Sequence, residues 1–257
     1  MELLNKVIKS DVFDYLEMIQ DESIDLILTD PPYGIGIDDW DVFESEEKYF
    51  EFIYKFIDYS IPKLKPNGSI YLFNNAYNSA FVLQYLVKKG MIYQNWITWY
   101  KKDGFTSLKK RYNRTQETCI FFTKSKNYIF NYNDIRIPYE SKSRIEAAKT
   151  KGILKNGKRW FPNKNGKLCN DVWEFSSEKN RNRINGKIIK QFHATQKPLD
   201  MIKRIVLASS NEGDIILDPF MGSGTTGIVC KQLGRNFLGC DLNLEYVNYA
   251  NKKINFS

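Results

Sequence analysis

The stretch D-L-I-L-T-D-P-P-Y-G at residues 25–34 constrains the fold of this chain more than any other. An apolar run, Leu26 to Leu28, drives into Asp30 and then into two prolines. Pro31 and Pro32 lack amide hydrogens and have a fixed φ, so neither a helix nor a sheet ladder continues through them. Thr29 and Asp30 must therefore close a short strand, and the chain leaves it extended. In open α/β sheets the carboxyl ends of the strands are where ligands bind. An ordinary strand-ending turn uses the same residue types, so a second signal is needed.

The 257 residues suffice for one large α/β domain or for one carrying a sizeable insertion. Hydrophobic periodicity predicts strands at 4–9, up to 30, and at 69–73, 92–99, 117–122, 215–217 and 237–240. Helices are expected at 12–19, 46–59, 78–89, from Pro198 onward, at 225–233 and from 244. Within 46–59, Tyr49, Phe52, Ile53, Phe56 and Ile57 mark one buried face. Leu64 to Gly68 reads as a turn, and Gly90 and Gly213 read as helix stops. Such alternation implies a doubly wound, mostly parallel, Rossmann-like α/β sheet with helices on both faces. From 127 to 190 the regularity fades into a loop-rich insertion.

Charge is segregated along the chain. Residues 101–190 hold 23 Lys and Arg against 8 Asp and Glu, whereas the rest hold 15 against 22. A surplus of fifteen, interleaved with Trp160, Phe161, Trp173 and Phe175, favours a polyanionic partner, with nucleic acid the natural candidate. The four cysteines (Cys119, Cys169, Cys230 and Cys240) form no C-x-x-C pair and read as reduced thiols. The single histidine, His193, argues against a His-based metal centre or a Ser-His-Asp triad, and no metal is expected. No apolar span or signal peptide stands out, so the expected place is the cytoplasm, with no membrane partner.

The second signal is L-D-P-F-M-G-S-G-T-T-G at 217–227, a strand ending at Asp218, a glycine turn and a helix opening near Thr225. Gly222, Gly224 and Gly227 fit the dinucleotide fingerprint, with Asp241 ending the next strand. A nicotinamide dehydrogenase must therefore be weighed. Only thirty residues follow Gly227, too few for the rest of a dinucleotide-binding sheet, and the pattern leaves the basic third unexplained. No Lys follows the second glycine, which excludes a P-loop. A mononucleoside-sized cofactor fits better.

Together the two stretches resemble the β class of S-adenosylmethionine-dependent amino-group DNA methyltransferases, of the type II restriction-modification kind. In that class D-P-P-Y comes first, a target-recognition region follows and F-x-G-x-G comes last. Here these are residues 30–33, roughly 125–190, and 220–224. Further matches are L-K-P-N-G-S-I-Y-L-F at 64–73, W-Y-K-K at 99–102 and H-A-T-Q-K-P-L at 193–199. The resemblance implies a catalytic half at 1–124, a basic recognition region at 125–190 and a cofactor half at 191–257.

It also implies roles. Asp30 and the Pro31 carbonyl would accept hydrogen bonds from the amino group of a flipped adenine in duplex DNA. Pro32 would stiffen the loop, and Tyr33 would stack on the base. Asp218, Phe220, Gly222, Gly224 and Thr225 would shape the methionine end of S-adenosylmethionine, with Asp30 bordering that site. Asp241 would take the ribose hydroxyls, although Glu is common there and Asp is one methylene shorter. Asp11 matches the position that bonds the cofactor's adenine, and reads equally as a helix N-cap. Lys197 would pair with the methionine carboxylate, or sit as a surface Lys beside a helix start. His193 reads as structural. Lys109, Lys110 and Arg111 are the candidate phosphate contacts. Grip on DNA would come from the insertion or from a homodimer, and a cognate restriction endonuclease would act separately.

Three rivals remain: methylation of the cytosine 4-amino group, an RNA or protein amide acceptor, and a binding module that has lost catalysis. Cytosine carbon-5 chemistry would want a Pro-Cys nucleophile, and no cysteine here follows a proline.

Overall fold

A computed structural model describes residues 3–101, 109–177, 183–184, 187–188 and 196–257; Lys102, His193 and Thr195 lie outside the described residues. The first strand, β1 (Lys6–Lys9), leads into α1 (Val12–Glu17), and β2 (Ile24–Thr29) leads toward α2 (Glu46–Ser60). Then come β3 (Leu64–Asn74), α3 (Ala76–Lys88), β4 (Ile92–Tyr100) and β5 (Gln116–Thr123). A second stretch of regular structure holds α4 (Lys142–Lys151), β6 (Ile153–Lys155), β7 (Lys158–Trp160) and β8 (Val172–Glu174). After the short pair β9 (Arg183–Ile184) and β10 (Lys187–Ile188) follow α5 (Leu199–Ser209), β11 (Ile215–Asp218), α6 (Thr225–Gln232), β12 (Asn236–Asp241) and α7 (Leu244–Asn255).

Eight strands form the main sheet in the order β1-β12-β11-β2-β3-β5-β4-β8. Only β5 runs against the others. Every residue of β2 is buried, as a strand covered on both faces must be. Alternation sorts Leu26 and Leu28, which face the core built with α5, α6 and α7, from Ile27, which faces the core built with α1, α2 and α3; Ile24 joins Ile27 there because the strand is irregular between Ile24 and Leu26. The predicted face of α2 is the buried one, through Tyr49, Ile53, Phe56 and Ile57. The chain leaves β2 toward β3 and returns later to β11 on its other side, so the crossovers diverge there. That divergence opens a crevice at the carboxyl edge.

Three expectations need correction. The segment from Leu64 to Gly68 is the start of β3, not a turn. Its pairing with β2 slips between Ile24↔Leu64 and Leu26↔Ser69, and this irregularity accommodates Pro66, which has no amide to offer a ladder. Helix α5 ends at Ser209; Gly213, with φ of 85°, serves the turn beyond it. The insertion, expected to be loop-rich, also carries regular structure: α4, the antiparallel β6–β7 pair, and β8, which pairs with β4 at the far edge of the main sheet.

That docking reassigns two aromatic residues. Trp173 is 5% exposed and belongs to the core, and its indole N–H donates to the Asn170 carbonyl at 2.7 Å. Phe175 packs beside it, with the Arg204 guanidinium 4.6 Å from its ring. Neither faces a polyanion, whereas Trp160 and Phe161 are exposed as expected. Trp173→Ala should cost about 3 kcal/mol in urea unfolding, the usual scale for a buried Trp truncation. A change below about 1 kcal/mol would mean β8 is not part of the cooperative core.

Candidate active site

Asp11, Asp30, Asp218 and Asp241 follow or end β1, β2, β11 and β12, four parallel neighbours in the sheet. One edge therefore carries all four carboxylates. A cleft there is lined by Thr29, Asp30, Lys197, Asp218, Phe220 and Thr225, among others.

The loop after Asp30 is held by a residue that the sequence analysis did not single out. Asp41 is 1% exposed, and its carboxylate accepts four backbone amides. Tyr33 and Gly34 donate to Oδ1 at 2.6 and 2.8 Å, and Ile35 and Ile37 to Oδ2 at 3.1 and 3.2 Å. The Tyr33 carbonyl accepts from Asn78 Nδ2 at 2.7 Å. The D-P-P-Y-G turn is thus fixed by hydrogen bonds from both sides, so its acceptors are oriented before any ligand arrives. Its signal was one of three acids in D-D-W-D, set apart only once four amides converge on it.

Asp30 is engaged at both oxygens. The Tyr33 hydroxyl donates to Oδ1 at 2.7 Å, and the Lys197 ammonium lies 2.5 Å from Oδ2. Lys197 is 7% exposed, which rules out the surface reading. Its neighbours among the described residues are the Asp30 carboxylate and, farther off, that of Glu117. Burial works to lower its pKa, but the charges of Asp30 and Glu117 outweigh that and hold it above the ordinary lysine value. Burial, joined by those same carboxylates, pushes the Tyr33 phenol well up, so it stays a donor. The ring of Tyr33 is half-buried, and its hydroxyl is committed inward.

Glu117, at the start of β5, completes the cluster and was also missed. Its Oε2 lies 3.4 Å from Lys197 Nζ, and its Oε1 pairs with Lys101. Burial would raise its pKa, yet the two ammonium groups hold it below the usual carboxylate value. One acid at the mouth of a largely buried strand was the only available sign.

On the other wall, Asp218 is buried. Desolvation pushes its carboxyl up to about 7, against hydrogen bonds from Thr226 Oγ1 at 2.6 Å and the Phe220 amide at 3.2 Å. Phe220 is anchored edge-on to Phe56, 5.2 Å between centroids. Gly222 and Gly224 both adopt positive φ, 50° and 80°. A Cβ on Gly224 would come within 2.9 Å of the Ala250 side chain in α7, so packing as well as conformation demands glycine. Thr225 opens α6 and is buried. Asp241 accepts the Gly222 amide at 2.9 Å and the Asn243 amide at 2.9 Å, a role in shaping the turn. Asp11 is the N-cap of α1, accepting the Phe13 amide at 2.8 Å, as its second reading held.

The cleft is lined by carboxylate, ammonium and hydroxyl groups beside Phe73 and Phe220, and so suits a polar ligand that also carries an apolar face. Thr29 Oγ1 is buried beside Asp30 and has no hydrogen-bond partner among the described residues. Such an orphan costs free energy until a ligand or water meets it. Lys109, Lys110 and Arg111 are exposed in the β4–β5 connection. Because β4 runs parallel to β2 through β3 and β5, that connection rises from the same edge as the cleft.

Three kinds of likeness bear on this site. A family model described as DNA methylase matches residues 24–252. The chain is 54% identical over 252 residues to the type II methyltransferase M1.MboII of Moraxella bovis, covering 98% of this chain and 97% of that protein. It is 35% identical over 254 residues to M.HpaI of Haemophilus parainfluenzae, also a type II methyltransferase, covering 97% and 74%. Among solved structures, an M1.HpyAVI–SAM complex superposes with a TM-score of 0.66 at 26% identity, covering 97% of this chain and 98% of that one. The PvuII cytosine-N4-specific DNA methyltransferase gives a TM-score of 0.69 at 18% identity, covering 98% and 92%, and supports the fold alone.

Asp41→Asn tests the loop anchor. The amide keeps one acceptor oxygen but turns a donor toward two backbone N–H groups. The variant should stay folded, lose roughly 2 kcal/mol of stability and show a larger loss in methylation than in cofactor affinity. Wild-type turnover would remove Asp41 from any part in orienting the loop.

Proposed function

This chain belongs to the DNA methylase family, and we propose that Asp30 and the Pro31 carbonyl prepare an adenine 6-amino group in duplex DNA for methylation. The protein is an S-adenosylmethionine-dependent DNA methyltransferase. When bound, the cofactor supplies an electrophilic methyl on a sulfonium. The protein's task is to make a poor nucleophile ready for it.

An exocyclic amino group is a poor nucleophile because its lone pair is delocalised into the ring. Two acceptors aimed at its N–H bonds favour pyramidal nitrogen and localise that pair, an effect that grows toward the transition state. A base inside the duplex is out of reach, so the target is extruded into the cleft. Tyr33 offers the extruded base a ring face, while Pro31 and Pro32 limit the loop's freedom. Asp218, Phe220, Gly222, Gly224 and Thr225 would hold the methionine end of the cofactor, with Lys197 near its carboxylate. Asp241 would meet the ribose and Asp11 the adenine. The observation that carries the reading is the convergence of D-P-P-Y and the glycine turn on one cleft, from opposite ends of the chain.

Lys109, Lys110 and Arg111 would grip phosphate on the same edge, with Tyr112, 96% exposed, free to stack on a base. On this reading residues 125–190 choose the site, a second copy of the chain strengthens the hold, and a separate restriction endonuclease shares the site. The cytoplasm, where the duplex is, would be its place.

Asp30→Ala should lower single-turnover methylation by about a hundred- to a thousand-fold, as removal of one preorganised polar group does, with DNA binding kept. Asp30→Asn should keep more activity than Asp30→Ala. Modification mapping of DNA from an expressing host should find N6-methyladenine in one sequence context. N4-methylcytosine there would favour the rival amino group, and full activity in Asp30→Ala would sink the mechanism.

Replacing Lys109, Lys110 and Arg111 together by Ala should reduce the slope of log affinity against log salt by about 2–3, since each lost phosphate contact removes about 0.9. An unchanged slope would place those residues off the DNA.

A further inference from the structure

Lys197 has two carboxylate neighbours and holds only one of them closely. Its Nζ is 2.5 Å from Asp30 Oδ2 and 3.4 Å from Glu117 Oε2. The methylation reading asks Asp30 to accept a hydrogen bond from a neutral amino group. An ammonium seated on the same oxygen draws its electron density away and takes one of its lone pairs, which weakens Asp30 as an acceptor. Asp30 accepts best if Lys197 loosens when the target base enters, yet Lys197 is buried, and a buried cation cannot be left without a counter-charge.

Glu117 supplies the alternative. Its Oε2 already faces Lys197, and a displacement of about 0.5–1 Å would shorten 3.4 Å to an ordinary charge-assisted hydrogen bond. No proton changes hands. The ammonium N–H leaves Asp30 Oδ2 for Glu117 Oε2, and the incoming amino N–H takes its place on Asp30. The four charged groups Asp30, Glu117, Lys101 and Lys197 carry two charges of each sign before and after the move. Lys101, bound to Glu117 Oε1 and 4.5 Å from the Trp99 ring, keeps Glu117 ionised and oriented throughout. The Tyr33 hydroxyl is 3.4 Å from both Glu117 Oε2 and Lys197 Nζ, within reach to follow either partner.

We propose that Glu117 is a positioning residue for methyl transfer, acting as the second seat of the Lys197 ammonium so that Asp30 is released to accept the target amino group. The proposal rests on the reading of Asp30 as that acceptor. A purely structural Glu117 would neutralise the two lysines and do nothing during the reaction.

The test is Glu117→Gln, which keeps shape but offers Lys197 no charge. Single-turnover methylation at saturating cofactor and duplex, dissociation constants for each, and thermal unfolding are measured together. Transfer should fall at least tenfold while both affinities stay within about threefold, and Glu117→Asp should regain part of the lost rate. A wild-type rate in Glu117→Gln would overturn the proposal. So would rate and affinities falling in step, or a Glu117→Asp no faster than Glu117→Gln. Should Glu117→Gln fail to fold, Glu117→Asp decides alone: slower transfer with kept affinities supports the second seat, and wild-type transfer overturns it. Asp30→Ala in the same assay separates the two levels. If it retains full transfer, the acceptor reading fails; if it is inactive while Glu117→Gln is not, only the role of Glu117 fails.

Discussion

A buried ammonium is the constraint around which this site is arranged. Lys197 lies 7% exposed at the N-terminal approach to α5, and such a charge persists in a protein interior only where carboxylates meet it. Asp30 and Glu117 do so from β2 and β5, two strands that flank β3 in the sheet. One side chain from the last third of the chain thus joins two from the first half. The pairing with Asp30 spans 167 positions of sequence. The cleft exists only when both ends of the chain are in place.

Around that cluster the backbone supplies rigidity by a different means. Asp41 gathers four amides of the loop that the prolines began, so two residues without N–H groups are followed by several whose N–H groups are all accounted for. Opposite, Asp241 holds the Gly222 amide, and Gly224 lies against Ala250. Each wall of the cleft has its own carboxylate fixing its own turn. Neither of these acids needs to touch a ligand for its loss to be felt there.

Much of this was legible in the residues. Strands and helices that cross the core announce themselves by periodicity, because burial of one face imposes it: the end of β2, both ends of α2 and β12, and the start of α5 lie within a residue or two of expectation. The D-P-P-Y and glycine-turn residues were legible because backbone geometry restricts which side chains can stand there. What escaped was decided at a distance. The start of β3 carries turn chemistry in K-P-N-G, but a slipped register against β2 accommodates it. Trp173 looked like an exposed aromatic among cations until a three-residue strand carried it into the core. Glu117 is a single acid whose partners, Lys101 and Lys197, come from other parts of the chain, and a local window holds no trace of that convergence. Asp41 lies close in sequence to the amides it gathers, but no residue pattern marks which acid of that loop turns inward.

The order of strands has a consequence for how the chain comes into being. In the finished sheet β2 sits between β3, which follows it closely, and β11, made nearly two hundred residues later. During synthesis one side of β2 is zipped early, while the other presents bare amides and carbonyls of a largely apolar strand. A ribosome adding about 5–20 residues per second leaves that edge uncovered for on the order of ten seconds or more. Until β11 arrives, the nascent chain carries an adhesive flank, the kind of surface on which neighbouring chains misassemble and which chaperones shield. The same late arrival brings Lys197, so the hazard ends as the site is completed.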